Sequence, residues 1–199
     1  MSSSLPTAVL THHPGTYSQA VHGIEARMSR TPGRALALTY TLRGDCARLQ
    51  LPPPQPPRRA DRLWQHTCFE AFIAMQGEPA YYEFNFAPSG EWAAYAFWRY
   101  REGVPMVGEE IAPRITVRST EESFELDALI DLDRLPMITP RARLRLALCA
   151  VVEEENNMLS YWALKHPPGK PDFHHPDAFA LEIGLLDMGA VNDSAGSTR

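Results

Sequence analysis

LWQHTCFEAFIAM at residues 63–75, YYEFNFAPSG at 81–90 and EWAAYAFWRY at 91–100 are three strand-like runs separated by little more than turns. Gly77, Glu78 and Pro79 make the first turn, and Pro88, Ser89 and Gly90 the second, because glycine and proline supply the backbone angles of tight reversals. The pattern predicts strands over 66–75, 80–87 and 91–100. In the middle run Tyr82, Phe84 and Phe86 share one face, and Tyr81, Glu83 and Asn85 share the other. Such alternation describes a half-buried antiparallel strand whose polar face is open to water or to a ligand. Strands so rich in Trp, Tyr, Glu and His build either an aromatic core or a face that grips a flat ligand, and composition alone leaves both readings standing.

The same pattern continues outward on both sides. Residues 20–30 and 35–43 alternate and pair through a turn at 31–34. The segment PPPQPPRR at 52–59 cannot enter a sheet interior, since proline has no N–H to donate, and reads as a stiff exposed connector. Further strands are predicted over 113–119, 123–131 and 143–154, the last containing the apolar run LRLALCAVV of a central strand. Residues 153–157 form a hairpin turn into a strand at 159–164, residues 167–176 a loop, and 178–186 a closing strand. The fold class predicted is all-β, an antiparallel sandwich or barrel. A chain of 199 residues fits one such domain over 7–187, with disordered ends at 1–6 and 188–199.

A formal net charge of -5, with no basic run beyond Arg58 and Arg59, argues against nucleic acid as a partner, because phosphate neutralisation needs clustered cations. No apolar run approaches the roughly 20 residues of a membrane span, and MSSSLPTAVL at the start lacks the charged and apolar regions of a secretory signal. Cys46, Cys68 and Cys149 are an odd count without CxxC spacing, which suggests neither a disulfide framework nor a zinc site. The cytoplasm is the expected compartment.

Three clusters carry chemical content. Glu70 points the same way as His66, Cys68 and apolar Phe72. A carboxylate on such a face requires an arginine, a sugar hydroxyl or a cation as partner, since a buried lone charge costs several kcal/mol. Tyr81, Glu83 and Asn85 are followed by Trp92, Trp98, Arg99 and Tyr100, with the two indoles at even spacing. Flat aromatic surfaces suit the apolar faces of sugar rings, and carboxylates, amides and guanidinium groups suit the hydroxyls; the same indoles also suit a core. Finally, Trp162, both lysines (Lys165 and Lys170) and His166, His174 and His175 fall within one short stretch. Neither a Gly-x-Ser-x-Gly elbow nor a phosphate-binding glycine loop occurs. Glu70 and Glu83, on neighbouring predicted strands, are a conceivable pair for glycoside hydrolysis, which needs carboxyls about 5–10 Å apart.

LWQHTCFEAFI, YYEFNFAPSGEW, ALIDLDRL, an LRLALCAVVEE strand leading to YWAL, and DFHHPDAFALEI together resemble the DOMON-like domains related to family 9 carbohydrate-binding modules, over residues 20–186. The resemblance implies an immunoglobulin-like β-sandwich and a ligand-binding module rather than an enzyme, its ligand a carbohydrate or related small polyol. Trp64, Trp92, Trp98 and Trp162 become stacking candidates. Glu70, Glu83, Asn85 and Arg99 become hydroxyl-bonding candidates, with His66, Lys165 and His174 beside them. The haem-binding branch of those domains implies axial ligands drawn from Met28, Met75, His66 or His174, so haem or a metal is the alternative ligand and hydrolysis through Glu70 and Glu83 the second alternative. Such modules are usually extracytoplasmic; without an export signal the expectation moves to a small intracellular ligand and no cofactor.

Overall fold

The structure, a computed structural model, describes residues 7–31 and 33–184. The ends expected to be disordered, 1–6 and 188–199, lie outside the described residues. In chain order the strands are β1 (Ala8–His12), β2 (Val21–Arg30), β3 (Ala35–Gly44), β4 (Cys68–Met75), β5 (Tyr81–Phe86), β6 (Trp92–Arg99), β7 (Glu102–Met106), β8 (Arg114–Ser119), β9 (Ser123–Asp131), β10 (Leu144–Glu153), β11 (Leu159–Ala163) and β12 (Leu181–Ile183). All their pairings are antiparallel.

One sheet runs β8–β9–β3–β2–β1; the other runs β7–β6–β5–β4–β10–β11, with β12 also on β10. The first strand belongs to both, because Ala8, Val9 and Leu10 pair with β2 while Thr11 and His12 pair with β11. The two sheets close over one core in which Leu38, Tyr40 and Leu126 meet Phe69, Phe84 and Leu148. Tyr40 lies 5.3 Å from Phe69 ring to ring, and its hydroxyl donates to the Glu70 carbonyl at 2.7 Å. Phe69 in turn stacks on Phe124 at 5.6 Å. The expected antiparallel β-sandwich is therefore the fold, with more strands than the seven to nine of immunoglobulin domains.

β10 is buried along both faces, as its continuous apolar run demands. Two strands were not anticipated. The first, β1, is short; β7 contains Gly103 and Pro105, and proline is tolerated there because β7 is a sheet edge. The closing strand, predicted from residue 178, starts at Leu181, because Pro176–Ala178 forms a 3-10 turn capped by the His175 side chain, which accepts from the Asp177 amide. The proline connector is exposed as expected, yet it is stitched to the β5–β6 turn by the Gln55 amide donating to the Ser89 carbonyl at 2.7 Å.

The outer face of the β7–β11 sheet positions the site. It is not left to water. Phe72, Tyr81, Cys149 and Val151 on that face form a second small core with Phe173, Ala178 and Phe179 from the segment following β11. That segment is tied down at its start by the His166 ring nitrogen on the Thr11 carbonyl (2.8 Å) and the His13 ring nitrogen on the Gly169 carbonyl (3.1 Å). Hence Tyr81, Glu83 and Asn85, expected on an open polar face, are all buried.

Candidate ligand-binding site

Strand parity decides which side chains reach this outer face. Glu70 sits opposite Asn85 on β5, and Phe72 opposite Glu83, so the two glutamates are diagonal neighbours on one surface. On β6 the residues opposite Glu83 and Tyr81 are Tyr95 and Phe97. Above them the 3-10 turn Leu63–Gln65 brings in Trp64, entered through Arg62 in a left-handed conformation (φ 62°). Leu63 anchors that turn by packing on Cys68, Ala87 and Ala93, and the Trp64 indole stands edge-on to Tyr95 at 6.0 Å and 72°.

These elements enclose a pocket of about 340 Å³, floored by Glu70 and Glu83 and walled by Trp64, Tyr95, Phe97, Tyr161 and Phe173, with Arg101 and His174 at its side. Arg101 is at the β6–β7 reversal in a left-handed conformation (φ 56°). Its guanidinium pairs with Asp172 at 2.8 Å, and Tyr100 donates to the other Asp172 oxygen at 2.6 Å. Burial opposes ionisation of Asp172, but these donors outweigh it and hold the carboxyl below its usual range. The Arg101 amide donates to the Tyr81 hydroxyl at 3.1 Å, and Tyr81 lies 2.9 Å from His174 Nδ1. With Tyr81 donating, His174 carries its proton on Nε2, which faces Glu83 Oε2 at 3.6 Å. Burial among Phe72, Phe97 and Tyr81, then the nearby Arg101 charge, lower the His174 pKa to about 4, so the ring is neutral at physiological pH.

The carboxyls behave oppositely. Burial pushes Glu83 up to about 7, against the opposing hydrogen bond from Asn85 Nδ2 (2.6 Å) and the Arg101 charge. Glu70, only 3% exposed, is raised well above the carboxylate range by burial first and by the Glu83 charge second. Among the described residues no hydrogen bond reaches its carboxyl.

Of the expected site residues, Trp64, Glu70, Glu83 and His174 line the pocket. Asn85 lies under it, fully buried and bonded to Glu83. Others fall elsewhere. Trp92 pairs with inward-facing Phe86, and Trp162 with inward-facing Ala150, so both indoles lie between the sheets. Trp98 shares the parity of Trp92, but a register shift between Phe97 and Arg99 leaves it exposed at the strand's end, its indole nitrogen 3.4 Å from Glu102. Arg99 is paired with the same Glu102 at 2.6 Å. His66 precedes β4 rather than lying on it and bonds Glu153 at 2.7 Å, and Lys165 borders a separate depression with Gln76, Arg145 and Glu182. The four residues weighed as haem ligands are also dispersed. Met28 is in the inner core, Met75 is beside Thr139, and His66 and His174 line different hollows. Sequence reasoning missed Tyr95 and Phe97, which the hairpin register from Phe86 to Trp92 would have revealed. It also missed Arg101, a turn residue without any pattern to mark it.

No protein-family profile and no curated protein matches the chain. Solved structures do. A proposed carbohydrate-binding protein from Bacteroides uniformis superposes with a TM-score of 0.64 at 14% identity, covering 86% of this chain and 83% of that one. A family 9 carbohydrate-binding module from Caldicellulosiruptor kristjanssonii, in complex with glucose, gives a TM-score of 0.51 at 10% identity, covering 88% and 83%. At these identities the likeness is one of fold: this chain has the β-sandwich architecture seen in family 9 carbohydrate-binding modules.

Proposed function

We propose that this chain is a non-catalytic module that binds a small carbohydrate or related polyol in the outer-face pocket. The observation that carries the reading is Trp64, a 41% exposed indole standing at the mouth of a pocket floored by two buried carboxyls. An indole with one free face stacks on the apolar side of a sugar ring, a contact worth on the order of 1 kcal/mol beyond the area it buries. Glu70, Glu83 and Arg101 supply acceptors and donors for hydroxyls. The pocket volume is at the small end of ligand clefts, about 300–1,000 Å³, which favours a short ligand over a polymer chain. The glucose complex of the Caldicellulosiruptor module supports this ligand class for the fold. We place the action in the cytoplasm, in keeping with three free and buried cysteines.

Thermal-shift and calorimetric screening against monosaccharides and disaccharides tests the reading. A sugar at about 100 times its Kd stabilises by roughly 2.7 kcal/mol. Trp64→Ala is expected to abolish that shift with little change in the ligand-free Tm, whereas Trp162→Ala, cut from the core, is expected to cost about 3–5 kcal/mol. An unchanged sugar response in Trp64→Ala, or turnover of activated glycosides, would overturn it.

A further inference from the structure

The pocket floor holds two carboxyls whose ionised form a neutral sugar cannot neutralise. Among the described residues the one cation lining it, Arg101, is committed to Asp172 at 2.8 Å, with Tyr100 completing that cluster. His174 is neutral and stops 3.6 Å short of Glu83, too far for a hydrogen bond. Glu83 uses one oxygen on Asn85 and keeps Oε2 free. Glu70 is 3% exposed, borders the cavity and receives no hydrogen bond to its carboxyl from any described residue. Two diagonal carboxyls on adjacent strands thus present acceptors to one cavity, with no donor from another described residue between them.

We propose that the ligand carries a primary ammonium group, held between Glu70 and Glu83 against the aromatic walls, so that the sugar taken is an amino sugar with a free amine. The inference rests on the polyol-binding reading above and names its substrate class. An ammonium has three donors and no acceptor, so one group serves both carboxylates at once. A hydroxyl has a single donor and brings no charge. Tyr95, Phe97, Tyr161 and Phe173 line the same pocket, and an aromatic ring within about 6 Å of a cation attracts it. The other titratable neighbours do not substitute for it. Cys68 on β4 and Cys149 on β10 have thiols whose pKa burial raises, and burial also pushes Tyr95 on β6 up to about 12 and raises Tyr81 on β5. All four stay uncharged at neutral pH, leaving Arg101 with its Asp172 partner and neutral His174 as described.

Because the empty pair retains protons near neutrality and an ammonium favours its ionised form, binding releases protons. The experiment uses the whole chain and three matched sets: glucosamine, galactosamine and mannosamine, their parent hexoses, and their N-acetyl derivatives. Affinity is measured by calorimetry near pH 6.5 in buffers of differing ionisation heat. At least one free amine is expected to bind about tenfold tighter than its parent and its N-acetyl form, as charge-assisted bonds outweigh neutral ones, with proton release evident from the buffer dependence. Glu70→Gln is expected to bring the amine within about twofold of the parent, and a cooperative ligand-free melting curve with a Tm no lower than the parent protein's shows that the variant is folded. Parent hexoses binding as tightly as their amines, or amines binding without proton release, would overturn the ammonium assignment and leave the polyol site standing. Binding of none of the nine sugars would remove both.

Discussion

Glu70 is the residue in which stability and binding oppose each other. The unfolded chain ionises it like any glutamate, whereas the folded state holds Glu70 and Glu83 above the ordinary value of 4.5, Glu83 at about 7. At these two sites the folded protein therefore binds more protons than the unfolded chain from about pH 4.5 upward, and this pair's contribution to stability falls as pH rises through 7. His174, held down at about 4 against an ordinary 6.5, acts in the opposite direction, but only between those two values. Above pH 6.5, and below the range in which the thiols of the unfolded chain ionise, these carboxyls dominate the slope. Glu70→Gln removes the less favourable charge, so urea unfolding is expected to show a gain in stability near pH 8 and little or none near pH 5. A loss of stability at both pH values would show that Glu70 is a structural partner after all. Burying a charged group without a partner is costly, and its retention at the floor of a cavity fits a site that waits for its counter-charge.

At the scale of elements, the β6–β7 hairpin sets the pocket wall. Gly103 lies across from Phe97, and a Cβ there would sit 2.4 Å from the Ala96 carbonyl oxygen and 2.6 Å from the Phe97 ring. Phe97 stacks on Tyr81 at 4.8 Å with planes 9° apart, so moving it also moves the hydroxyl that orients His174. Gly103→Ala is expected to cost about 1–3 kcal/mol by overpacking and to weaken sugar binding as well, read by Tm and calorimetry on the same sample. An unaffected sugar affinity would mean that the wall tolerates the shift. The hairpins from residue 66 to 99 were legible because alternation and turn residues agree, and Glu83 was read onto the polar face, whereas the apolar company of Glu70 left its direction open. Trp92 and Trp98, unlike Trp64, fall outside the site for a related reason. Equal parity places Trp92 and Trp98 on one side but does not say which, and only the pairing of Trp92 with Phe86 shows it to be the inner one. Arg101 and Phe173 reach the site from a turn and a loop, where no periodicity marks direction.

For the whole molecule, the all-β sandwich was readable from strand after strand of alternating residues. The joining of its sheets was not, because β1 pairs with β11, about 150 residues later in the chain, and local pattern carries no record of so distant a contact. Since β1 is shared by both sheets, the sandwich is expected to unfold as one unit. Leu10 is 2% exposed within that strand. Leu10→Ala is expected to cost about 2–5 kcal/mol while leaving a single transition, seen as coincident fluorescence and circular-dichroism melts. Two separated transitions would show the sheets to be independent.

The crossing strand also reaches the pocket at second hand. The segment carrying Phe173 and His174 is held at its start by two backbone carbonyl contacts, one on Thr11 and one made by the ring of His13 just past the strand's end, and farther along by Asp172 and His174 bonding Arg101 and Tyr81. Local fraying of β1 would therefore loosen the start of this segment while both sheets stay folded, and cleavage within the segment after β11 would be a sign of that opening, slowed by whatever sugar the pocket holds.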